Sequence, residues 1–258
     1  MRRIAPKVFL VGETSVNYVG LQGYLKHAGA PEWSTDASSD SEQLMEFMGR
    51  LCYRSWKPGM NANVTKVREG NDKYLANILE VKHGSVLEHA VTNWVFADVS
   101  RVFTHELVRH RAGTAFSQES LRFVRLTDLG LWLPPEADND PALKAMFEDT
   151  FRNLEEIQNV LAVRLGLDDE SKKFKDKKIL TSLMRRLAPE GLATSIGASF
   201  NFRALRHVIE MRTAESAEAE IRLAFDQVAA IAKERWPNVF SDFTRNDRGE
   251  WVAANRKV

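Results

Sequence analysis

The side chains able to do chemistry in this sequence are mainly arginines and histidines, and both are concentrated. Between residues 101 and 126, Arg101, Arg109, Arg111, Arg122 and Arg125 face only Glu106 and Glu119, a local excess of three positive charges. Between 185 and 212, Arg185, Arg186, Arg203, Arg206 and Arg212 face Glu190 and Glu210, again an excess of three. Neither stretch contains a lysine. Lysine serves solubility equally well, whereas the planar guanidinium fork suits phosphate and carboxylate. The run Lys172 to Lys178, interleaved with Asp176, has instead the composition of a solvated helix face.

His83, His89, His105 and His110 fall within 28 positions. They are not expected to hold a metal: residues five apart on a helix point roughly 140° away from each other, and no cysteine is near. Nucleophilic catalysis is poorly served as well. Ser117 and Ser120 lack the Gly-x-Ser-x-Gly elbow, and Cys52 is expected on an apolar helical face. The 14 glycines form neither a phosphate loop nor Gly-x-Gly-x-x-Gly, so a bound nucleotide must be held by side chains.

The elements that must position these groups can be read from pattern. Lys7 to Val11 is a first strand closed by Gly12, and residues 30 to 41 form an exposed connection. Asp40 or Ser41 caps a helix with Leu44, Phe47, Met48 and Leu51 inward. Asn71 caps the next, with Tyr74, Leu75, Ile78 and Leu79 buried and Gly84 as its stop. Ser85 to Glu88 has capping-box spacing. Val91 to Val99 is a strand, and Ser100 caps a helix carrying Val102, Phe103, Leu107 and Val108 inward. Ala112 to Glu119 breaks the helical pattern, and Leu121 to Leu126 is extended.

The second half reads as helical. Asp140-Pro141 starts a helix with Leu143, Phe147, Leu154, Ile157 and Leu161 on one face. Another carries Ile179, Leu180, Leu183, Met184 and Leu187, and Pro189 ends it. A last long helix from about Ser216 to Trp236 buries Ile221, Phe225, Val228 and Ile231. Two or three strands with many helices make an α+β protein.

The 258 residues balance 36 basic against 35 acidic side chains, a net charge of +1 that weighs against a protein coating nucleic acid. At 44% hydrophobic and 28% charged the chain is globular, not disordered. No apolar run is long enough for a membrane span, the start lacks a signal peptide, and the single cysteine excludes an internal disulfide, so a cytoplasmic location is expected.

Arg109-His110-Arg111, followed after eight residues by Ser120 and then by Arg122, resembles the signature of the flavin-dependent thymidylate synthases in its longer form. Lys82-His83-Gly84-Ser85-Val86-Leu87-Glu88-His89 resembles the family's first flavin-side motif, with Lys82 in place of a usual glycine. Arg185 to Pro189, then Asn201-Phe202-Arg203 with His207, Glu210, Met211 and Arg212, follow in the family's order.

The resemblance implies one domain over residues 1–258, an α+β fold with a small mixed or antiparallel sheet and long helices. It implies reductive methylation of dUMP to dTMP, with methylenetetrahydrofolate as carbon donor and FAD, reduced by NADPH, as hydride source. It also implies a homotetramer with sites shared between subunits. By motif match, Ser85, Arg109, His110, Arg111, Gln118, Asn201, Phe202, Arg203 and His207 line the FAD. Glu106, Arg109, Gln118, Glu119, Ser120, Leu121, Arg122, Arg185 and Arg212 hold dUMP, with Arg122 at its phosphate. Arg212 would orient the uracil and favour its N3-deprotonated form, and no metal or enzyme nucleophile is required. Arg101, Arg125 and Arg206 match no motif position and are expected at the surface or against a partner. Two other readings remain: a C5-methylase of UMP or a modified pyrimidine nucleotide on the same fold, and an arginine-rich nucleic-acid-binding module using Phe116 and Phe123.

Overall fold

The computed structural model describes residues 1–258 except Val124 and Lys257. The first third contains β1 (Arg2–Arg3), β2 (Lys7–Glu13), α1 (Tyr18–Ala28), α2 (Asp40–Tyr53), α3 (Asn71–Glu80) and a 3-10 turn over Gly84–His89. Next come β3 (Val91–Ser100), α4 (Arg101–Leu107), β4 (Thr114–Gln118), β5 (Gly130–Leu131), α5 (Pro135–Asp138), α6 (Pro141–Arg164) and α7 (Phe174–Met184). A 3-10 turn over Arg185–Leu187 leads to β6 (Ala193–Asn201), α8 (Phe202–Thr213), α9 (Ala219–Arg235), β7 (Phe243–Arg245) and β8 (Trp251–Ala253).

The main sheet has the order β2-β3-β6-β4 and is antiparallel throughout; β1 pairs with β5 in parallel, and β7 with β8 as a hairpin. The α+β expectation holds. The sequence pattern does not single out its central strand β6, although burial along it alternates, with Thr194, Ile196, Ala198 and Phe200 inward. Gly and Ser between those residues dilute the strand signal. The inner face packs on α9 through rings, with Phe96 5.5 Å from Phe225 and Trp94 6.3 Å from Trp236 just past its end, and Phe202 of α8 lies 4.8 Å from the same Trp236. Each such buried ring contributes about 1.5–3 kcal/mol of transfer free energy.

A bulge in β3 sets the position of α4. The register shifts between Phe96 and Val99, and Asp98 takes φ +54, held by Arg2 at 2.9 Å and Lys7 at 3.3 Å. The strand therefore delivers Ser100 inward, where its Oγ accepts from Phe103 N and caps α4 as expected. Glu220 of α9 accepts from Ser100 N and Oγ, and burial pushes its carboxyl up to about 7.

Several expectations are corrected. Ser39, not Asp40 or Ser41, caps α2. Leu51 is exposed, and the inward face of α2 carries Glu42, Glu46 and Arg50 beside Met45 and Phe47. These charges are buried because they satisfy one another: Arg50 Nε donates to Glu46, and Asn71 donates to Glu46. Asn71 is thus an interior tie, with Gly70 at the cap. The α3 helix stops before Gly84, at a turn where Lys82 takes φ +62, a conformation that favours glycine. Ser85 to Glu88 makes no side-chain cap; Glu88 pairs with Arg203 instead. Val102 and Val108 are exposed rather than inward. Residues 114–118 of the pattern break form strand β4, and Leu121 to Phe123 form turns, Val124 of that segment lying outside the described residues.

On α6, Leu143 and Phe147 are exposed, Leu154 and Leu161 are half-buried against small apolar clusters, and only Phe151, Gln158 and Ala162 are buried; Met146, Val160 and Val163 look outward. Glu218, not Ser216, caps α9. Among the described residues, no helix is long and apolar enough to cross a membrane.

Candidate active site

The end of α4 and the last turn of α8 converge on one arginine. Arg212 Nη1 meets the Glu106 carboxylate at 2.7 Å, Nη2 donates to the Glu106 carbonyl at 2.7 Å, and Nε donates to His110 Nε2 at 2.7 Å. Three of its donor positions are thereby fixed, and its side chain is 11% exposed. An imidazole nitrogen that accepts must be unprotonated, so the His110 proton sits on Nδ1. Burial, then the neighbouring guanidinium and His207, push His110 down to about 4. The His110 and His207 rings meet edge to face at 6.1 Å. Arg109 stays largely exposed, 3.5 Å from Glu106, and Arg111 is exposed.

Beside this cluster lies a polar cavity of about 550 Å³, lined by Arg101, Gln118, Glu119, Ser120, Leu121, Ser182, Arg185, Arg186, Ala188 and Glu190. Strand β4 delivers its floor. Glu119 N donates to Ser195 O and Glu119 Oε2 accepts from Ser195 N, both at 3.0 Å, which pins the end of β4 to β6. Gln118 Nε2 donates to Thr104 of α4 at 3.0 Å. Glu190 faces His105 at 3.1 Å. Three guanidinium groups against two carboxylates, both of which have other hydrogen-bond partners, leave the cavity net positive, which suits a phosphate. Ser120 Oγ accepts from Arg122 N at 3.4 Å. The Arg122 carbonyl accepts from Thr181 at 2.7 Å, while its buried Nε has no partner among the described residues. Arg122 does not line the cavity itself.

A second cavity of about 390 Å³ is lined by Glu88, Ala112, Gly113, Asn201, Arg203, Ala204, His207, Arg256 and Val258. Asn201 caps α8 by accepting from Ala204 N, and Arg203 and His207, four apart, share the face beyond it. Arg203 donates to Glu88 at 2.7 Å. The backbone is crowded here: a Cβ on Gly113, where φ is +68, would lie 2.4 Å from the Asn201 amide, and one on Gly84 2.8 Å from Arg203 Nε. Such close packing leaves a narrow site walled by an amide, an imidazole and guanidinium groups, which fits a planar ligand carrying phosphate.

Of the residues expected at dUMP and at the flavin, Gln118, Glu119, Ser120, Leu121 and Arg185 line the polar cavity and Asn201, Arg203 and His207 the second, with no lining residue shared; Glu106, Arg109, His110 and Arg212 form a third group, and Arg111 and Arg122 line neither cavity. Several placements differ from expectation. Phe202 has its ring in the core against Trp236, not at the cavity wall. Ser85 is exposed on the 3-10 turn and lines neither cavity. Glu106 is engaged with Arg212 instead of lying open to a substrate. Arg101, expected at the surface or against a partner, lines the polar cavity, and Arg186 joins it; their place in the two lysine-free, arginine-rich stretches is the available signal. Arg125 is at the surface, paired with Asp168, whereas Arg206 is buried on Asp242. Cys52 is exposed on α2.

The sequence profile of the family described as thymidylate synthase complementing protein matches residues 35–238. A flavin-dependent thymidylate synthase of Corynebacterium diphtheriae is 38% identical over 216 residues, covering 82% of this chain and 83% of that protein. One from Mycobacterium avium is 35% identical over 247 residues, covering 94% and 92%. Among solved structures, the UMP/dUMP methylase PolB from Streptomyces cacaoi bound with 5-Br UMP superimposes with a TM-score of 0.64 at 15% identity, covering 93% of this chain and 95% of its own. Thymidylate synthase X from Helicobacter pylori with FAD and dUMP gives 0.58 at 18% identity, covering 92% and 98%. Both structures share the fold.

Proposed function

We infer the details of the reaction from the premise that this chain belongs to the family of flavin-dependent thymidylate synthases. It is a methyl-transferring flavoenzyme that makes dTMP from dUMP with FAD as cofactor. The finer reading is that methylenetetrahydrofolate gives the carbon and NADPH reduces the flavin. FAD, when bound, supplies the hydride chemistry.

The observation that carries the reading is the clamp on Arg212. A uracil ring resists attack and reduction at C5 and C6 until negative charge develops on N3 and the ring oxygens. A guanidinium held at three points stabilises that charge without reorganising, which is electrostatic catalysis. Neutral His110 accepts from Arg212 Nε, so it aligns the cation without adding a competing charge. Arg185, with Ser120, Glu119 and Leu121, lines the cavity that would take the nucleotide phosphate and sugar. Asn201, Arg203 and His207 would hold the flavin from the second cavity. Ser120 positions substrate rather than attacking it: its Oγ accepts from the Arg122 N–H.

The two cavities belong to one chain, but the reading joins them across subunits of a homotetramer. What supports this is the apolar face left outward on α6 and α7, with Met146 66%, Val160 65%, Val163 79% and Phe174 70% exposed. The cytoplasm is the location that reading requires, where nucleotide and folate are available.

Turnover with methylenetetrahydrofolate and NADPH, comparing dUMP with UMP, tests the whole. The expected result is a yellow protein that converts dUMP to dTMP and leaves UMP largely untouched. Colourless protein that fails to bind added FAD would sink it; preferential turnover of UMP would move the assignment to the pyrimidine-nucleotide methylase alternative.

A further inference from the structure

The cavity that holds Asn201, Arg203 and His207 has a wall made from residues beyond 238, where the family profile ends. Helix α8 holds that wall in place from the adjoining face. One position before His207, Arg206 is only 2% exposed and grips Asp242 through both terminal nitrogens, at 2.8 and 3.0 Å. Its Nη1 also donates to the Val239 carbonyl, and its guanidinium lies 4.8 Å from the Phe243 ring centre. Asp242 in turn accepts from Asn255 N and Nδ2 at 3.0 and 3.1 Å, and its carbonyl accepts from Ala254 N at 3.1 Å. Glu210, one turn further along α8, accepts from Ala253 N at 3.2 Å.

The chain leaving β8 is therefore fixed by buried bonds up to Asn255. The next residue, Arg256, lines the cavity with its side chain 70% exposed. Its nearest acid is Glu210, at 3.4 Å from Nε, a longer contact than the 2.7 Å between Arg203 and Glu88. An arginine on a rigid stalk, with a loosely engaged head lining this cavity of about 390 Å³, has a reason to be there other than folding.

We propose that Arg256 is a cofactor-binding residue that contacts a phosphate of the flavin dinucleotide in this cavity. The proposal rests on the flavoenzyme reading above. Arg203 is paired with Glu88, so its charge is partly spent; Arg256 supplies the second positive charge that a diphosphate needs. The Arg206–Asp242–Asn255 chain fixes the backbone that carries that charge before the cofactor arrives, which lowers part of the ordering cost of binding.

The test is titration of flavin-stripped protein with FAD, dUMP and NADPH at low and moderate salt, for wild type, Arg256→Ala and Arg256→Lys. Loss of one exposed charge-assisted contact should weaken FAD binding by about tenfold in Arg256→Ala. Arg256→Lys should recover part of it, dUMP affinity should not change, and the FAD-free melting temperature should stay that of wild type. The salt dependence of FAD binding should also flatten in the alanine variant. Unchanged FAD affinity in Arg256→Ala, with wild type binding normally, overturns the proposal and leaves the flavoenzyme reading standing. A loss confined to NADPH, or a loss of all ligands with a lower melting temperature, overturns it too. Wild-type protein that binds no FAD removes both readings together.

Discussion

Arg212 and Arg185 belong to the same proposed site, yet the fold treats them in opposite ways. Arg212 is 11% exposed, bonded at three points and tied to a neutral histidine. Arg185 is exposed on a short 3-10 turn, in a cavity whose acids are engaged with other groups. The contrast separates two tasks for one residue type. A cation that must match a developing charge has to be pre-oriented, whereas one that captures a phosphate from water needs freedom and hydration.

The largest expected effect tests the first half of that contrast. Arg212→Ala should lower kcat by about 10²- to 10³-fold with little change in dUMP affinity, the scale seen when a preorganised electrostatic donor is removed. Single-turnover kinetics with FAD-loaded protein would measure it; a pure KM effect would place Arg212 with Arg185. Arg185→Ala should instead raise KM for dUMP by about tenfold, keep kcat within a factor of a few, and reduce the salt dependence of binding.

A smaller effect should appear in titration. His110 sits at about 4 against an ordinary 6.5, from burial first and the guanidinium second. In Arg212→Ala the value should rise, though not fully to 6.5, because burial remains; selectively labelled histidine followed by NMR reads it directly. The sign for stability follows from linkage. With the folded value depressed, the unfolded chain takes the proton first as pH falls below about 6.5. The contribution of His110 is therefore present above 6.5 and lost on acidification toward 4, more weakly in Arg212→Ala. The smallest effect, none on turnover, is expected for Cys52→Ser: the thiol is exposed on α2 and lines neither cavity.

How far the sequence reveals such differences depends on which forces leave a trace in it. Ser100, Asp140 and the buried stripe of α9 were legible because caps and helical periodicity are local. Strand β6 was not, since Gly197 and the small residues around it carry little strand preference, and long-range pairing with β3 and β4 decides the matter. The buried acids of α2 were equally hidden; partners as distant as Asn238 make their burial tolerable. Motif spacing named the candidate residues, but not their partners. Nothing in Arg109-His110-Arg111 says that His110 faces Arg212, and nothing local to Arg256 says that Asp242 and Glu210 aim it at a cavity.

The outward apolar ridge of α6 and α7 has a kinetic consequence. A chain refolding alone can complete its sheet and helices and still leave Met146, Val163 and Phe174 in water. On the homotetramer reading, the last stage of maturation is an encounter between molecules, with a rate that depends on their number. After dilution from denaturant, helical signal should return at a rate independent of protein concentration. Catalytic activity should follow after a lag that shortens as concentration rises, and a single charge on the ridge, such as Val163→Glu, should stretch that lag without slowing the first phase.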